Sequence, residues 1–132
     1  MAKESCVFVI DRDSSARSGL ARLLRTAGHS VRDFASAEEF LDAFYPKAFG
    51  CLVLDLSTGG ASGDELRVEL ETRGVNLPII VLTADGEPDT WREAQELKAA
   101  EVFRKPVDGR ALLDAIDWAI RLHDAGDNHT DV

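Results

Sequence analysis

Cys51-Leu-Val-Leu-Asp55, followed after Leu56 by Ser57-Thr-Gly-Gly-Ala-Ser-Gly63, decides the fold. Four apolar residues without alternation read as a strand buried on both faces, and the carboxylate that ends it stands at the strand's carboxyl end. The small, turn-forming residues that follow mark a loop. Reading outward, the same figure recurs. Val7-Phe-Val-Ile10 ends in Asp11-Arg12-Asp13, Ile79-Ile-Val-Leu82 ends in Thr83, and a short Val102-Phe103 runs into Arg104-Lys105-Pro106. Open α/β sheets place their chemistry at the carboxyl ends of their strands. Carboxylates, a hydroxyl and an ammonium on one rim therefore define a candidate site.

Helix-period segments separate these strands. Ser14 or Ser15 can cap a helix that carries Leu20, Leu23, Leu24 and Ala27 on one face and ends at Gly28. Residues 30–34 form a weak second strand, and Ser36-Ala-Glu-Glu39 is a capping box that opens a helix containing Phe40, Leu41 and Phe44. Further helices are expected over 63–73 and 89–100, and a last one from an Asp108 cap to His123. Residues 1–123 then make one domain, and 124–132, without periodicity, a flexible C-terminal tail. Strict β/α alternation with apolar strands implies a parallel sheet covered on both faces, and five such units suit an open doubly wound sheet rather than a barrel.

Composition narrows the function. The chain has 132 residues, 45% of them apolar, and a net charge of -9. Nucleic acid and anionic membrane are poor direct ligands for such a surface, since both need a basic footprint. Cys6 and Cys51 open apolar strands with no nearby His or C-x-x-C spacing, so they read as small buried hydrophobes in a reducing compartment. The N-terminus lacks an apolar leader, and a cytoplasmic location is expected.

The order of strand-end residues resembles the receiver domain of bacterial response regulators, in its FixJ-like branch, over about residues 6–122. Acidic residues follow strand one, Asp55 strand three, Thr83 strand four and Lys105-Pro106 strand five, with the spacings of that branch. The resemblance implies a flavodoxin-like (CheY-like) fold, five parallel strands in the order 2-1-3-4-5 with five helices. It implies Asp55 as phosphoacceptor for a sensor histidine kinase or phosphotransfer protein, with Thr83 and Lys105 binding the phosphate. It implies Mg2+ held by Asp11, Asp55 and the carbonyl of Ser57, with Asp13 a further candidate ligand. Such a domain is a signalling element with at most slow autophosphatase activity.

Three positions depart from the family pattern. Arg12 stands where the family carries the second acidic residue and a main Mg2+ ligand, which changes the local charge by two. Turned inward, Arg12 at about 4 Å from Asp55 is worth about 4 kcal/mol at an effective dielectric of about 20, before desolvation. Turned outward, its long stem touches nothing catalytic. Thr58 and Gly59 replace Met-Pro after the acceptor, and Val102 replaces the aromatic residue that swings inward on phosphorylation. Metal binding weakened by Arg12 is one expectation. The alternative is a pseudo-receiver, a phosphorylation-independent interaction module.

The last helix carries two apolar stripes. Leu112, Leu113, Ile116, Ala119 and Ile120 form the core face, while Ala111, Ala115, Trp118 and Leu122 recur beside it at helical spacing. The second stripe is a candidate partner surface, for a downstream protein or for a homodimer through the last helices, and Trp91 can widen it.

Overall fold

A computed structural model of the chain describes residues 4–44, 48–56, 63–84 and 88–129. The elements alternate without exception: β1 (Cys6–Ile10), α1 (Ser14–Thr26), β2 (Val31–Phe34), α2 (Ala37–Ala43), β3 (Gly50–Asp55), α3 (Gly63–Thr72), β4 (Ile79–Thr83), α4 (Pro88–Glu96), β5 (Glu101–Arg104) and α5 (Gly109–His129). All strand pairs are parallel, in the order β2-β1-β3-β4-β5. The central strands β3 and β4 are buried at every residue. The polar residues fall on the edges, in β2 and β5, where one side of the ladder is open.

Side-chain alternation along the strands divides the interior in two. Phe8, Ile10, Leu52, Leu54, Ile79 and Val81 pack on one face with Phe40, Leu66, Leu70, Ala94 and Leu97 from α2, α3 and the end of α4. Val7, Val9, Cys51, Val53, Ile80 and Leu82 face Leu24, Leu112, Ile116 and Ala119 from α1 and α5. Phe40 holds α2 in place, its ring edge-on to Phe8 and to Phe34 with centroids 5.6 Å apart in both pairs. Each such pair contributes about 0.5–1.5 kcal/mol beyond the burial of the rings. Cys6 belongs to the first face and Cys51 to the second, so the sheet stands between the two thiols.

The helix termini show where local chemistry sets the boundaries. Asp13, not Ser14 or Ser15, caps α1: its carboxylate accepts the N–H groups of Ser15 and Ala16 at 2.9 and 3.1 Å. A carboxylate carries a full charge to the positive helix end, which a serine hydroxyl does not. Ser36 caps α2 as expected, its Oγ accepting the Glu39 N–H, while the return bond of Glu39 Oε2 goes to the Ala35 N–H, one residue before the cap.

Three helices end alike. At Gly28 and Gly74 the chain turns left-handed, and the glycine's own N–H and that of the next residue, His29 or Val75, close back on the last turn of α1 and of α3. The end of α4 repeats this bond pattern, Lys98 N–H to Gln95 and Ala99 N–H to Ala94, but the left-handed residue is Lys98, at φ 57°. This turn ends α4 at Glu96, before the residue 100 expected from the pattern. In contrast, α5 passes His123 and continues to His129, because no proline interrupts it and each added residue gains one ladder bond. Residues 124–129 thus belong to α5, beyond the end at His123 that the pattern predicts, and 130–132 lie outside the described residues.

Candidate functional site

The sheet delivers its polar strand ends to one place. Asp11 follows β1 and Asp55 ends β3, adjacent strands whose register pairs Ile10 with Leu54. Both carboxylates are almost fully buried, and Thr83, the last residue of β4, is wholly so. Lys105 follows β5; its N–H donates to the Thr83 carbonyl at 2.8 Å, which fixes where its side chain begins. The Lys105–Pro106 peptide is cis. From there the ammonium forms an ion pair and hydrogen bond with Asp55 Oδ2, and lies 3.8 Å from Asp11 Oδ2. One cation therefore sits against two buried carboxylates.

Electrostatics follow from this packing. Burial raises the Asp11 pKa above the usual carboxylate value, and the neighbouring Asp55 charge adds to the rise. The Asp13 N–H, donating to Asp11 Oδ1 at 2.9 Å, and the Lys105 charge oppose it without cancelling it. Burial works against the Lys105 ammonium, but its hydrogen bond to Asp55 and the surrounding carboxylates outweigh that and raise its pKa.

Asp13 is exposed and spends a carboxylate oxygen on the α1 cap. Arg12 is exposed at the rim between Asp11 and Asp13. Arg17 was not singled out from the sequence, yet its guanidinium donates to the Asp11 carbonyl at 2.7 Å and reaches Asp33 of β2 at 3.8 Å. It thereby ties the end of β1 to β2. A cation in the first turns of a helix, where the dipole disfavours it, was the available signal. Ser57, Thr58 and Gly59 lie outside the described residues. Val102 and Phe103 point to opposite faces of β5, Val102 toward the α4 side and Phe103 toward the α5 side.

Asp11 and Asp55 offer two adjacent carboxylates, the donor set Mg2+ takes when waters and phosphate complete its shell. Beside the site runs an apolar groove lined by Leu20 and Leu23 of α1, Pro106, Val107 and Leu112, with Asp11 and Lys105 at its end. Leu23 is 37% exposed there and lies beside the α5 start at Gly109, where an added Cβ would meet it at an ordinary contact of 3.5 Å. On α5, Trp118 and Leu122 are 58% and 48% exposed, while Ala111 and Ala115 are half-buried beside them. Trp91 is also exposed, but α4 and α5 pack on opposite faces of the sheet, so the two tryptophans do not share one helix face.

This arrangement matches known proteins over most of its length. The model of the response regulator receiver domain family matches residues 7–117. The chain is 40% identical over 119 residues to the transcriptional regulatory protein TdiR of Thauera aromatica, covering 90% of this chain and 52% of TdiR. It is 42% identical over 110 residues to the transcriptional regulatory protein FixJ of Azorhizobium caulinodans, covering 83% of this chain and 52% of FixJ. Among solved structures, the N-terminal part of FixJ superposes with a TM-score of 0.78 at 33% identity, over 91% of this chain and 96% of that one. The response regulator StyR superposes with a TM-score of 0.85 at 39% identity, over 98% of this chain and 65% of StyR.

The chain belongs to the response regulator receiver domain family, in its FixJ-like branch. It is a receiver of two-component phosphorelay signalling, and it spans about half the length of the curated relatives it matches. Response regulators work with sensor kinases, and their receivers signal rather than catalyse. Among the described residues, no helix is long and apolar enough to cross a membrane.

Proposed function

We propose that Asp55 is the phosphoacceptor, taking a phosphoryl group from a sensor histidine kinase or phosphotransfer protein in the cytoplasm. The observation that carries this reading is the Lys105 ammonium lodged against both Asp55 and Asp11. Phosphoryl transfer needs little covalent help and much charge neutralisation, and a positioned cation beside the attacking oxygen supplies it. An Asp55 oxygen attacks phosphorus in line, the bond from phosphorus to the donor breaks, and the donor keeps that electron pair. Lys105 then moves its contact from the carboxylate to a phosphoryl oxygen, and the Thr83 hydroxyl donates to another. The groove along Leu20, Leu23 and Val107 gives the donor protein an apolar seat next to the acceptor.

Asp11 and Asp55, with the Ser57 carbonyl, would hold Mg2+, which neutralises charge on the phosphoryl group in flight. Arg12 in place of a carboxylate, and Asp13 committed to its cap, leave that site short of oxygens, so the metal is held weakly. Slow loss of the phosphoryl group to water, an autophosphatase reaction, belongs to the same reading. Output runs through Trp118 and Leu122, with Ala111 and Ala115 beneath, as a homodimer or a downstream protein contact. The net charge of -9 leaves nucleic acid outside the direct ligands of these residues.

Intact-mass spectrometry after incubation with acetyl phosphate or phosphoramidate and Mg2+ tests the assignment. One phosphoryl adduct is expected, absent in Asp55→Asn, and formed at lower Mg2+ in Arg12→Asp. An adduct in Arg12→Asp but not in the native chain overturns the proposal and makes the protein a pseudo-receiver.

A further inference from the structure

The helices over the first face of the sheet bury its strand residues but do not close on one another. Helix α2 has only seven residues and lies over β1 and β2, while α3 leans on α4. Between α2 and α3 a groove of about 680 Å³ remains open, lined by Ala37, Leu41, Leu66 and Val68. Val68 is 56% exposed in the middle of α3, a position where a closed helix pair would bury it. Its rim is charged in one sense: Glu38 and Asp42 on α2 and Glu65 and Glu69 on α3 stand against the single Arg73, which already pairs with Glu69 at 3.3 Å.

The geometry points to this groove as a docking site for a basic amphipathic helix of a partner protein. An apolar stripe of such a helix would seat on Leu41, Leu66 and Val68, and its Lys or Arg residues would face the two carboxylate rows. A second copy of the chain is the poorer occupant, because its own groove and its net charge of -9 would bring acid to acid. A small polar ligand is poorer still, since every charged group lies on the rim and the floor is aliphatic. The site is independent of the Asp55 chemistry, so Asp55→Asn leaves it unchanged.

The test is fluorescence anisotropy of the whole chain against a labelled helical peptide of about 18 residues, with leucines at i, i+4 and i+7 and lysines elsewhere. Saturable binding is expected, weakened at least tenfold by Val68→Glu, and unaffected by Trp118→Glu. The pair Asp42→Lys with Glu69→Lys should weaken the lysine peptide and gain binding to its glutamate counterpart. All substituted positions are exposed, and circular dichroism checks that each variant is folded. Three results overturn the proposal: no binding up to about 1 mM, equal binding by a scrambled peptide of the same composition, or self-association of the chain that Val68→Glu abolishes.

Discussion

Asp11 shows how one side chain sets the terms for a site. Its carboxylate is buried beside Asp55, and its pKa is raised by that burial first and by its neighbour's charge second. A group whose folded pKa lies above its unfolded value binds more protons when folded. Its contribution therefore turns unfavourable as pH rises from the unfolded carboxylate range through the folded pKa. In metal-free buffer, Asp11→Asn should raise the urea midpoint at neutral pH, and the gain should shrink as pH falls toward about 4. The amide oxygen can keep the Asp13 N–H bond, so the cap of α1 is not at stake. A gain independent of pH would show that Asp11 is not the group responsible.

Lys98 is the second residue with a measurable consequence. Gly28 and Gly74 adopt the left-handed turn at no steric expense, whereas Lys98 adopts it with a Cβ. Lys98→Gly should stabilise the fold by about 0.5–1 kcal/mol, read as a higher denaturant midpoint at constant m. Its sequence signal was absent because a Lys after Gln-Glu-Leu continues a helical pattern, and only the tertiary start of β5 requires the chain to turn there. The capping of α1 was obscured differently. Asp13 was read with the metal ligands, and its neighbours Ser14 and Ser15 were equally good cap residues by type. Arg17 could not be assigned at all, since its partners are a backbone carbonyl and a residue of β2 sixteen positions on.

At the scale of elements, the apolar strands and the strand-end order were legible because their signals are local: runs of Val, Ile and Leu closed by one polar residue. The helix ends were less so, since they depend on which amide finds a carbonyl after folding. The two stripes of α5 separated in part: Leu113 and Ile120 of the expected core face are half-buried, and Ala115 of the second stripe packs against the same core. Leu112, Ile116 and Ala119 are buried, and Trp118 with Leu122 remains outside. Trp118→Glu should therefore alter stability by no more than about 0.5 kcal/mol. If α5 is a homodimer surface, the same substitution should leave a monomer in analytical ultracentrifugation at concentrations where the phosphorylated native chain associates. A large loss of stability would instead show Trp118 to be part of the core. The α2–α3 groove had no counterpart in the sequence, because it arises from how far two helices lie apart rather than from either one.

At the scale of the molecule, a five-stranded sheet separates two cores that share no side-chain packing across the central strands, and this gives the protein a reporter of its own opening. Cys6 and Cys51 face opposite cores, so no internal crosslink can join them while the sheet stands. The Cys51 thiol is wholly enclosed in β3, four residues before Asp55, and burial pushes its pKa up to about 12. It is thus shielded from modifying reagents both sterically and as the un-ionised form. Its rate of modification by a thiol reagent should follow global unfolding rather than local fluctuation, and should slow when phosphoryl transfer or peptide binding stabilises the fold. Labelling at Cys51 as fast as at half-buried Cys6 would show that the central strand opens on its own. Oxidants, meanwhile, find in the folded chain no pair of thiols to lock, so its signalling state is left to the chemistry at the rim.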